Sequence, residues 1–208
     1  MAFGLGAIQG WLSEARTAFN AAADRLDELD AAIGDGDHGS NMARGLEAAA
    51  TMDYATCNTP PAAIKQIGMT LLGTIGGAAG TLYGTFFLTL AAQWPSQLNT
   101  PRLAALFRAA RDAVQSRGRA EVGDKTMVDP LDAAVKAMEA ADPEAPLAES
   151  LESAVLAARE ARDATRDMVA KRGRAALLGE RTVGHIDPGA ESMTMVLELC
   201  LRHLSDEG

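Results

Sequence analysis

The sequence has few aromatic residues and few cysteines. Phe, Trp and Tyr make up 4% of the 208 residues, and the two cysteines are Cys57 and Cys200. Two isolated cysteines without a CxxC spacing argue against a disulfide scaffold or a zinc site and indicate a reducing compartment. Because alanine dominates the apolar residues, the core has to be built from small side chains, and alanine is the best helix former.

Positive charge is also scarce, since 19 Lys and Arg face 28 Asp and Glu for a net charge of −9. This balance disfavours binding to nucleic acid or to an anionic membrane surface. The start of the chain lacks a basic segment followed by an unbroken apolar one, so we expect no secretory signal and a cytoplasmic location. Residues 66–101 carry no charge, but glycines between 73 and 84 interrupt them, which favours two buried helices over a membrane span.

No segment alternates apolar and polar residues with period two, so no strands are expected. Apolar residues three and four apart predict a first helix that ends at Gly34. Further helices are expected at about 39–54, on both sides of a glycine loop at 76–80, up to Gly118, after Asp129-Pro130, over about 147–171, and from about Asp187 onward. The chain is therefore predicted to be one all-α domain, residues 1–208, with eight helices in a bundle or barrel.

Three carboxylates lie close together after the first helix. Asp30, Asp35 and Asp37 fall within eight residues and are separated by glycines. They repel one another unless a cation lies among them, and Mg²⁺ and Ca²⁺ prefer carboxylate oxygens. An EF-hand is disfavoured because the twelfth position counted from Asp35 is not Glu. An Asp/Gly loop that caps a helix is the alternative, but the three Asp followed by polar residues favour a divalent-metal site; these are His38, Ser40 and Asn41.

Three other segments carry weaker signals. The glycine-rich stretch at 76–84 would let a ligand approach the backbone, although close helix packing explains it equally well. In 118–133, Asp124 and Lys125 can pair, and Thr126 or Asp129 could cap a helix. In 171–192, cationic donors that could contact phosphate or form surface ion pairs are Arg174, Arg181 and His185. In an up-down bundle all four segments meet at one end and could converge on one ligand.

Taken together, four segments resemble the nucleotide-binding L subunit of bacterial dihydroxyacetone kinase, a family that also provides the C-terminal domain of ATP-dependent dihydroxyacetone kinases. The segments are GDGDHGSNMARG, MTLLGTIGGAAGTLYGTFF, GDKTMVDPLDA and GRAALLGERTVGHIDPGA. The resemblance implies an antiparallel up-down barrel of eight helices, with a nucleotide and two Mg²⁺ ions in the loops at one end. Gly36 stands where the family often has Ala, and this departure removes no ligand.

The resemblance also implies a site and a reaction. The metal ligands would be Asp30, Asp35 and Asp37, joined by Arg174 for catalysis. The nucleotide contacts would be His38, Gly39, Ser40, Asn41, Ala78, Ala79, Gly118, Met127, Arg174, Asp187, Pro188 and Gly189. Bound ADP would receive a phosphoryl group from a histidine of a phosphocarrier M subunit. It would then pass that group to dihydroxyacetone on a separate sugar-binding K subunit.

Two other functions stay open at this point. A kinase subunit of the same fold could consume ATP and serve another small ketose or polyol. A regulatory adaptor could bind ADP and Mg²⁺ and contact a transcriptional regulator, although the intact Asp set argues against a purely non-catalytic role. Homodimerisation is also compatible with the sequence.

Overall fold

The computed structural model describes residues 4–205, so residues 1–3 and 206–208 of the predicted domain lie outside it. The described part contains eight α-helices, two 3-10 helices and no strand. The α-helices are α1 (Leu5–Ile33), α2 (His38–Ala50), α3 (Pro60–Thr74), α4 (Gly77–Gln93), α5 (Thr100–Gly118), α6 (Val128–Ala140), α7 (Leu147–Ala164) and α8 (Pro188–Ser205). The 3-10 helices, Thr165–Asp167 and Ala175–Thr182, lie between α7 and α8. The prediction of an all-α fold is confirmed.

The helices pack in a closed cycle. Each α-helix contacts the next one along the chain, and α8 also contacts α1. The connections that follow α1, α3, α5 and α7 all contribute residues to one cavity. They therefore meet at the same end of the molecule, as the up-down topology predicts. Among the described residues, no helix is long and apolar enough to cross a membrane.

The few aromatic side chains are concentrated in the core. The ring of Phe86 lies 5.2 Å from that of Phe87 and 5.9 Å from that of Phe107, both nearly edge-on. Trp11 contributes a further ring contact, 5.4 Å from Phe87. Small and aliphatic side chains fill the remaining space, as the composition requires, and the core aromatic pairs link α1, α4 and α5.

Two helix ends differ from the sequence-based expectation. Helix α2 ends at Ala50 rather than near residue 54, and α7 ends at Ala164 rather than near residue 171. At the end of α7, the ammonium of Lys125 donates to the carbonyl of Thr165, and the Thr165 hydroxyl donates to the carbonyl of Arg162. Because side chains satisfy these terminal carbonyls, the chain leaves the α-helix here and forms a segment of two 3-10 helices and loops, residues 165–187, beside the cavity.

The glycine loop between α3 and α4 is shorter than expected. Helix α4 begins at Gly77, so Ala78 and Ala79 belong to its first turn rather than to a loop. A Cβ added at Gly80 would lie 2.2 Å from the carbonyl oxygen of Ile75, which leaves no room for a side chain. The glycines thus allow a tight turn directly into a helix whose N-terminus borders the cavity.

Candidate functional site

A cavity of about 560 Å³ lies at the end where the four connections meet. Most of the residues selected from the sequence line it: Asp30, Asp35, Asp37, His38, Asn41, Ala78, Ala79, Gly118, Met127, Arg174, Asp187, Pro188 and Gly189. Gly39 and Ser40 do not line it. A Cβ at Gly39 would lie 2.0 Å from the carbonyl oxygen of Ala23, and Ser40 bonds the side chain of Asp27. Both residues therefore attach α2 to α1.

The three carboxylates form a compact cluster at the cavity wall. One ligand oxygen from each of Asp30, Asp35 and Asp37 lies within 4.8 Å of the other two. The Asp30 carboxylate accepts hydrogen bonds from the backbone N–H groups of Gly36 at 2.9 Å and Asp37 at 3.0 Å. A Cβ at Gly34 would lie 2.2 Å from an oxygen of Asp30. The backbone therefore wraps closely around Asp30 and turns the other two carboxylates towards it.

The donor set suits a hard cation. All three side chains offer oxygen ligands, which Mg²⁺ prefers, and their spacing lets one or more ions share them. Arg174, from the segment between α7 and α8, forms an ion pair with Asp35. This contact brings a guanidinium group from a distant part of the sequence to the carboxylate cluster. The arrangement can therefore combine a metal ion with a cationic side chain around one anionic ligand.

The N-termini of α2, α4 and α8 also border the cavity. The first N–H groups of a helix lack partners within the helix and favour anions. No side chain among the described residues caps the N-terminus of α4, so the N–H groups of its first turn are available to a ligand. Apolar lining residues provide a surface for a flat, uncharged group; Leu82, Val114 and Met127 are among them.

Two buried ionisable side chains, Asp187 and Lys125, lie in the wall of the cavity. Burial raises the pKa of the Asp187 carboxyl to about 7, although the N–H of Ala190 at 2.7 Å and the nearby Lys125 both oppose this shift. Lys125 is 1% exposed and donates to the carbonyls of Thr165 and His185, and burial lowers its pKa. Lys125 therefore ties the wall of the cavity to the segment between α7 and α8.

The expected pairing of Asp124 with Lys125 is wrong. The Asp124 carboxylate instead contacts Arg172 at 2.8 Å and Lys171 at 3.4 Å, and these contacts help to lower its pKa against the effect of burial. The neighbouring side chain of Lys125 donates instead to two carbonyl groups that are distant in sequence. Asp124 therefore joins the connection between α5 and α6 to the segment between α7 and α8.

Capping of α6 also differs from the expectation. The N-cap residue is Met127, and neither Thr126 nor Asp129 caps the helix in the usual way. The Asp129 carboxylate accepts from the N–H groups of Gly123 at 2.6 Å and Thr126 at 2.7 Å, while the Thr126 hydroxyl accepts from Val128 at 3.1 Å. These bonds hold the turn that presents Met127 to the cavity.

The DAK2 domain model matches residues 32–202. The chain belongs to the DAK2 domain family. It is 39% identical over 196 residues to the Escherichia coli (strain K12) protein named PEP-dependent dihydroxyacetone kinase, ADP-binding subunit DhaL. This match covers 92% of this chain and 93% of that protein. It is 40% identical over 186 residues to PEP-dependent dihydroxyacetone kinase 2, ADP-binding subunit DhaL, of Listeria innocua, covering 87% and 86% respectively.

The same fold occurs in the dihydroxyacetone kinase from C. freundii, solved in complex with AMP-PNP and Mg²⁺. The TM-score is 0.69 at 24% identity, with 96% of this chain and 33% of that chain covered. This DAK2 domain therefore corresponds to about a third of that chain. At this level of identity the likeness establishes the fold alone.

Some lining residues of this DAK2 domain were not singled out from the sequence as ligand contacts. Arg117 and Arg172 line the cavity, whereas Arg181 and His185 do not line it and are exposed. Arg172 lies in the same basic stretch as Arg174, so the charge of that stretch could have indicated it as a contact. Ser192 was not singled out either, because a serine inside a helix carries no distinctive pattern; its side chain is fully buried and contacts His38.

Proposed function

We propose that this DAK2 domain is the nucleotide-bearing subunit of a dihydroxyacetone kinase. A phosphoryl group would pass from a phosphocarrier M subunit to bound ADP, and from the resulting ATP to dihydroxyacetone on a sugar-binding K subunit. The observation that carries the proposal is the cluster of three carboxylates within 4.8 Å, placed in a cavity bordered by helix N-termini. Relatives of almost the same length that are named ADP-binding subunits of such kinases support it.

Within this proposal, the cavity divides into a phosphate end and a base end. Asp30, Asp35 and Asp37 would hold two Mg²⁺ ions, which neutralise the charge on phosphate oxygens. The free N–H groups at the start of α4 would contact phosphate at Ala78 and Ala79. The base and ribose would lie against the apolar wall and the backbone of Gly118, Met127 and the Asp187–Gly189 turn.

The chemistry asked of this chain is positioning rather than nucleophilic attack. In-line phosphoryl transfer needs aligned reactants and compensation of negative charge. Arg174 lies beside Asp35 with a largely exposed side chain, so its guanidinium group can turn from the carboxylate to the transferred phosphoryl group. The acceptor hydroxyl and the sugar-binding groups would come from the K subunit. Contact with a transcriptional regulator, homodimerisation and a cytoplasmic location stay predictions.

A second candidate is a kinase subunit that consumes ATP as an exchangeable substrate, for dihydroxyacetone or another small ketose or polyol. The C. freundii kinase favours testing it, because the nucleotide in that structure is AMP-PNP with Mg²⁺. The two candidates share the same cavity and the same metal ligands. They differ in how tightly the nucleotide is held between turnovers, and this difference can be measured.

The deciding experiment is nucleotide retention. The chain is purified with Mg²⁺, passed through gel filtration and denatured, and the released nucleotide is identified by chromatography. A parallel sample is incubated with excess ATP before gel filtration, and another with EDTA. We expect near-stoichiometric ADP that resists exchange with ATP and is released by EDTA. Freely exchanging nucleotide would instead favour ATP as a consumed substrate, and no binding of ADP with Mg²⁺ would overturn both candidates.

A further inference from the structure

Two polar side chains and a backbone carbonyl meet at the buried hydroxyl of Ser192, beside the cavity. The Oγ atom of Ser192, on α8, lies 2.7 Å from Nε2 of His38 on α2 and 2.7 Å from the hydroxyl oxygen of Tyr83 on α4. It also lies 3.1 Å from the carbonyl oxygen of Gly189. Ser192 and Tyr83 are 0% exposed. Buried polar groups of this kind are normally fully hydrogen-bonded, so the direction of each bond can be worked out.

The direction follows from counting protons. A serine hydroxyl has one proton to donate and two lone pairs that accept, and a carbonyl oxygen can only accept. If the Ser192 proton goes to the carbonyl of Gly189, the other two contacts must both donate to Ser192. Tyr83 can do so, because its hydroxyl has no second partner in the part of the chain that the structure describes. All three bonds then exist together only when His38 carries a proton on Nε2.

We propose that Ser192 is a positioning residue that fixes the ring of His38 with the Nε2 proton donated to Ser192, so that Nδ1 is the ring nitrogen left to other partners. His38 lines the nucleotide cavity, and its Nδ1 atom has no hydrogen-bond partner within residues 4–205. Nδ1 is therefore the ring atom that can contact the bound nucleotide or its water. The effect on nucleotide binding rests on the proposed function, whereas the position of the proton does not.

The surroundings of Tyr83 agree with its role as a donor to Ser192. Tyr83 keeps its proton, because burial raises its pKa well above the ordinary value. A neutral imidazole has one donor and one acceptor nitrogen, and the partner of one nitrogen decides the state of the other. Ser192 is that partner here.

The first test uses the unsubstituted full chain without nucleotide. The protein contains three histidines, so nitrogen-15 NMR of the imidazole rings can resolve all of them, with His185→Gln and His203→Gln used for assignment. At pH 8 we expect the His38 spectrum of a ring protonated on Nε2. A ring protonated on Nδ1 would overturn the proposal, because Ser192 would then donate to His38 and leave the carbonyl of Gly189.

The second test compares two variants that each remove one hydroxyl from the same network. In Ser192→Ala we expect a mixture of His38 tautomers and ADP binding with Mg²⁺ that is weaker by about five- to tenfold, because one buried hydrogen bond is lost. In Tyr83→Phe we expect the original tautomer and an ADP affinity within about twofold of the unsubstituted chain, since the bond between Ser192 and His38 stays intact. Thermal unfolding checks that both variants fold.

The outcomes separate this proposal from the proposed function. An unchanged tautomer and unchanged ADP affinity in Ser192→Ala would overturn the positioning role while leaving the proposed function intact. A chain that binds no ADP would overturn the proposed function, and the tautomer of the unsubstituted chain would still confirm or overturn the bond from His38 to Ser192. If Ser192→Ala does not fold, the unsubstituted spectrum decides the question.

Discussion

Two cavities in the described part of the molecule differ in which side chains line them. The larger one, about 560 Å³, is lined by carboxylates, cations, glycines and helix N-termini. The smaller one, about 50 Å³, lies inside the bundle, and its lining residues are uncharged and mostly large and apolar: Ile8, Trp11, Ile64, Ile67, Phe87, Leu90, Trp94, Leu103, Phe107, Cys200 and Leu204. The indole nitrogen of Trp11 has no hydrogen-bond partner there among the described residues.

The difference shows that the region around the smaller cavity and the region around the larger cavity depend on different kinds of interaction. In the apolar region, stability depends on buried area and volume, so side chains of similar size can replace one another and one unpaired indole N–H is tolerated. In the polar region, each group depends on a particular partner, as Asp30 does on two backbone N–H groups. Substitutions in the apolar region should therefore change the free energy of unfolding, and substitutions in the polar region should change ligand binding.

The largest expected effect is on stability in the apolar region. Phe87→Ala removes a ring that contacts Trp11 and Phe86 and leaves a cavity beside them. We expect the free energy of unfolding to fall by about 3–5 kcal/mol, measured by urea denaturation. ADP affinity of the folded fraction should not change. Phe87→Leu is the matched control, with a smaller expected loss because leucine keeps most of the buried volume. A marked fall in ADP affinity for Phe87→Leu would contradict the separation of the two regions.

The next effect is on binding in the polar region. Asp35→Asn removes one of three carboxylates of the cluster, and we expect ADP affinity in the presence of Mg²⁺ to fall at least about 100-fold, because even residues that only support metal ligands contribute 10–100-fold. Stability should change by less than about 1 kcal/mol, since the lost ion pair with Arg174 is solvent-exposed. Calorimetry measures both the affinity and the unfolding.

Asp24→Asn provides the control for charge alone. Asp24 is exposed on α1 and does not line the cavity, and its substitution changes the net charge by the same amount. We expect it to bind ADP as the unsubstituted chain does. Equal losses in Asp24→Asn and Asp35→Asn would mean that the overall negative charge, rather than a metal site, governs nucleotide binding.

A smaller effect concerns the pH dependence of stability. The folded pKa of Asp187, about 7, lies above its ordinary value of 3.8, so the fold favours the protonated carboxyl. Its contribution is complete below pH 3.8 and is lost as the pH rises through about 7. Between pH 5 and pH 8, the metal-free chain should therefore lose stability through this group, by at most about 1.4 kcal/mol per pH unit.

Asp187→Asn tests this directly. Asparagine keeps an oxygen that can accept from the N–H of Ala190, and it does not ionise. Urea denaturation in EDTA at several pH values should give a flatter pH profile for Asp187→Asn than for the unsubstituted chain. Phe87→Leu should keep the original dependence of stability on pH. Among the residues that line the apolar cavity, Cys200 alone has a side chain that can titrate. Parallel profiles for all three proteins would disprove the assignment to Asp187.

The separation in sequence between contacting residues decides which features of the fold and site a local pattern can predict. The end of α1 at Gly34 and the carboxylate cluster depend on neighbouring residues, so periodicity and spacing predicted them. The end of α7 depends on Lys125, which is 40 residues away from Thr165 in sequence, and a local pattern cannot show it. The bond between His38 and Ser192 joins residues 154 positions apart and was missed for the same reason.

The smallest expected effect tests the division within one helical turn. His38 and Asn41 are three residues apart, so they share the face of α2 that lines the cavity, while Ser40 is turned towards α1. The Ser40 N–H and hydroxyl bond the Asp27 carboxylate, the N–H at 3.0 Å. We expect Ser40→Ala to lower stability by about 1 kcal/mol or less and to change ADP affinity less than about twofold. Asn41→Ala should weaken ADP binding more, and equal losses would mean that the whole turn rearranges around the nucleotide.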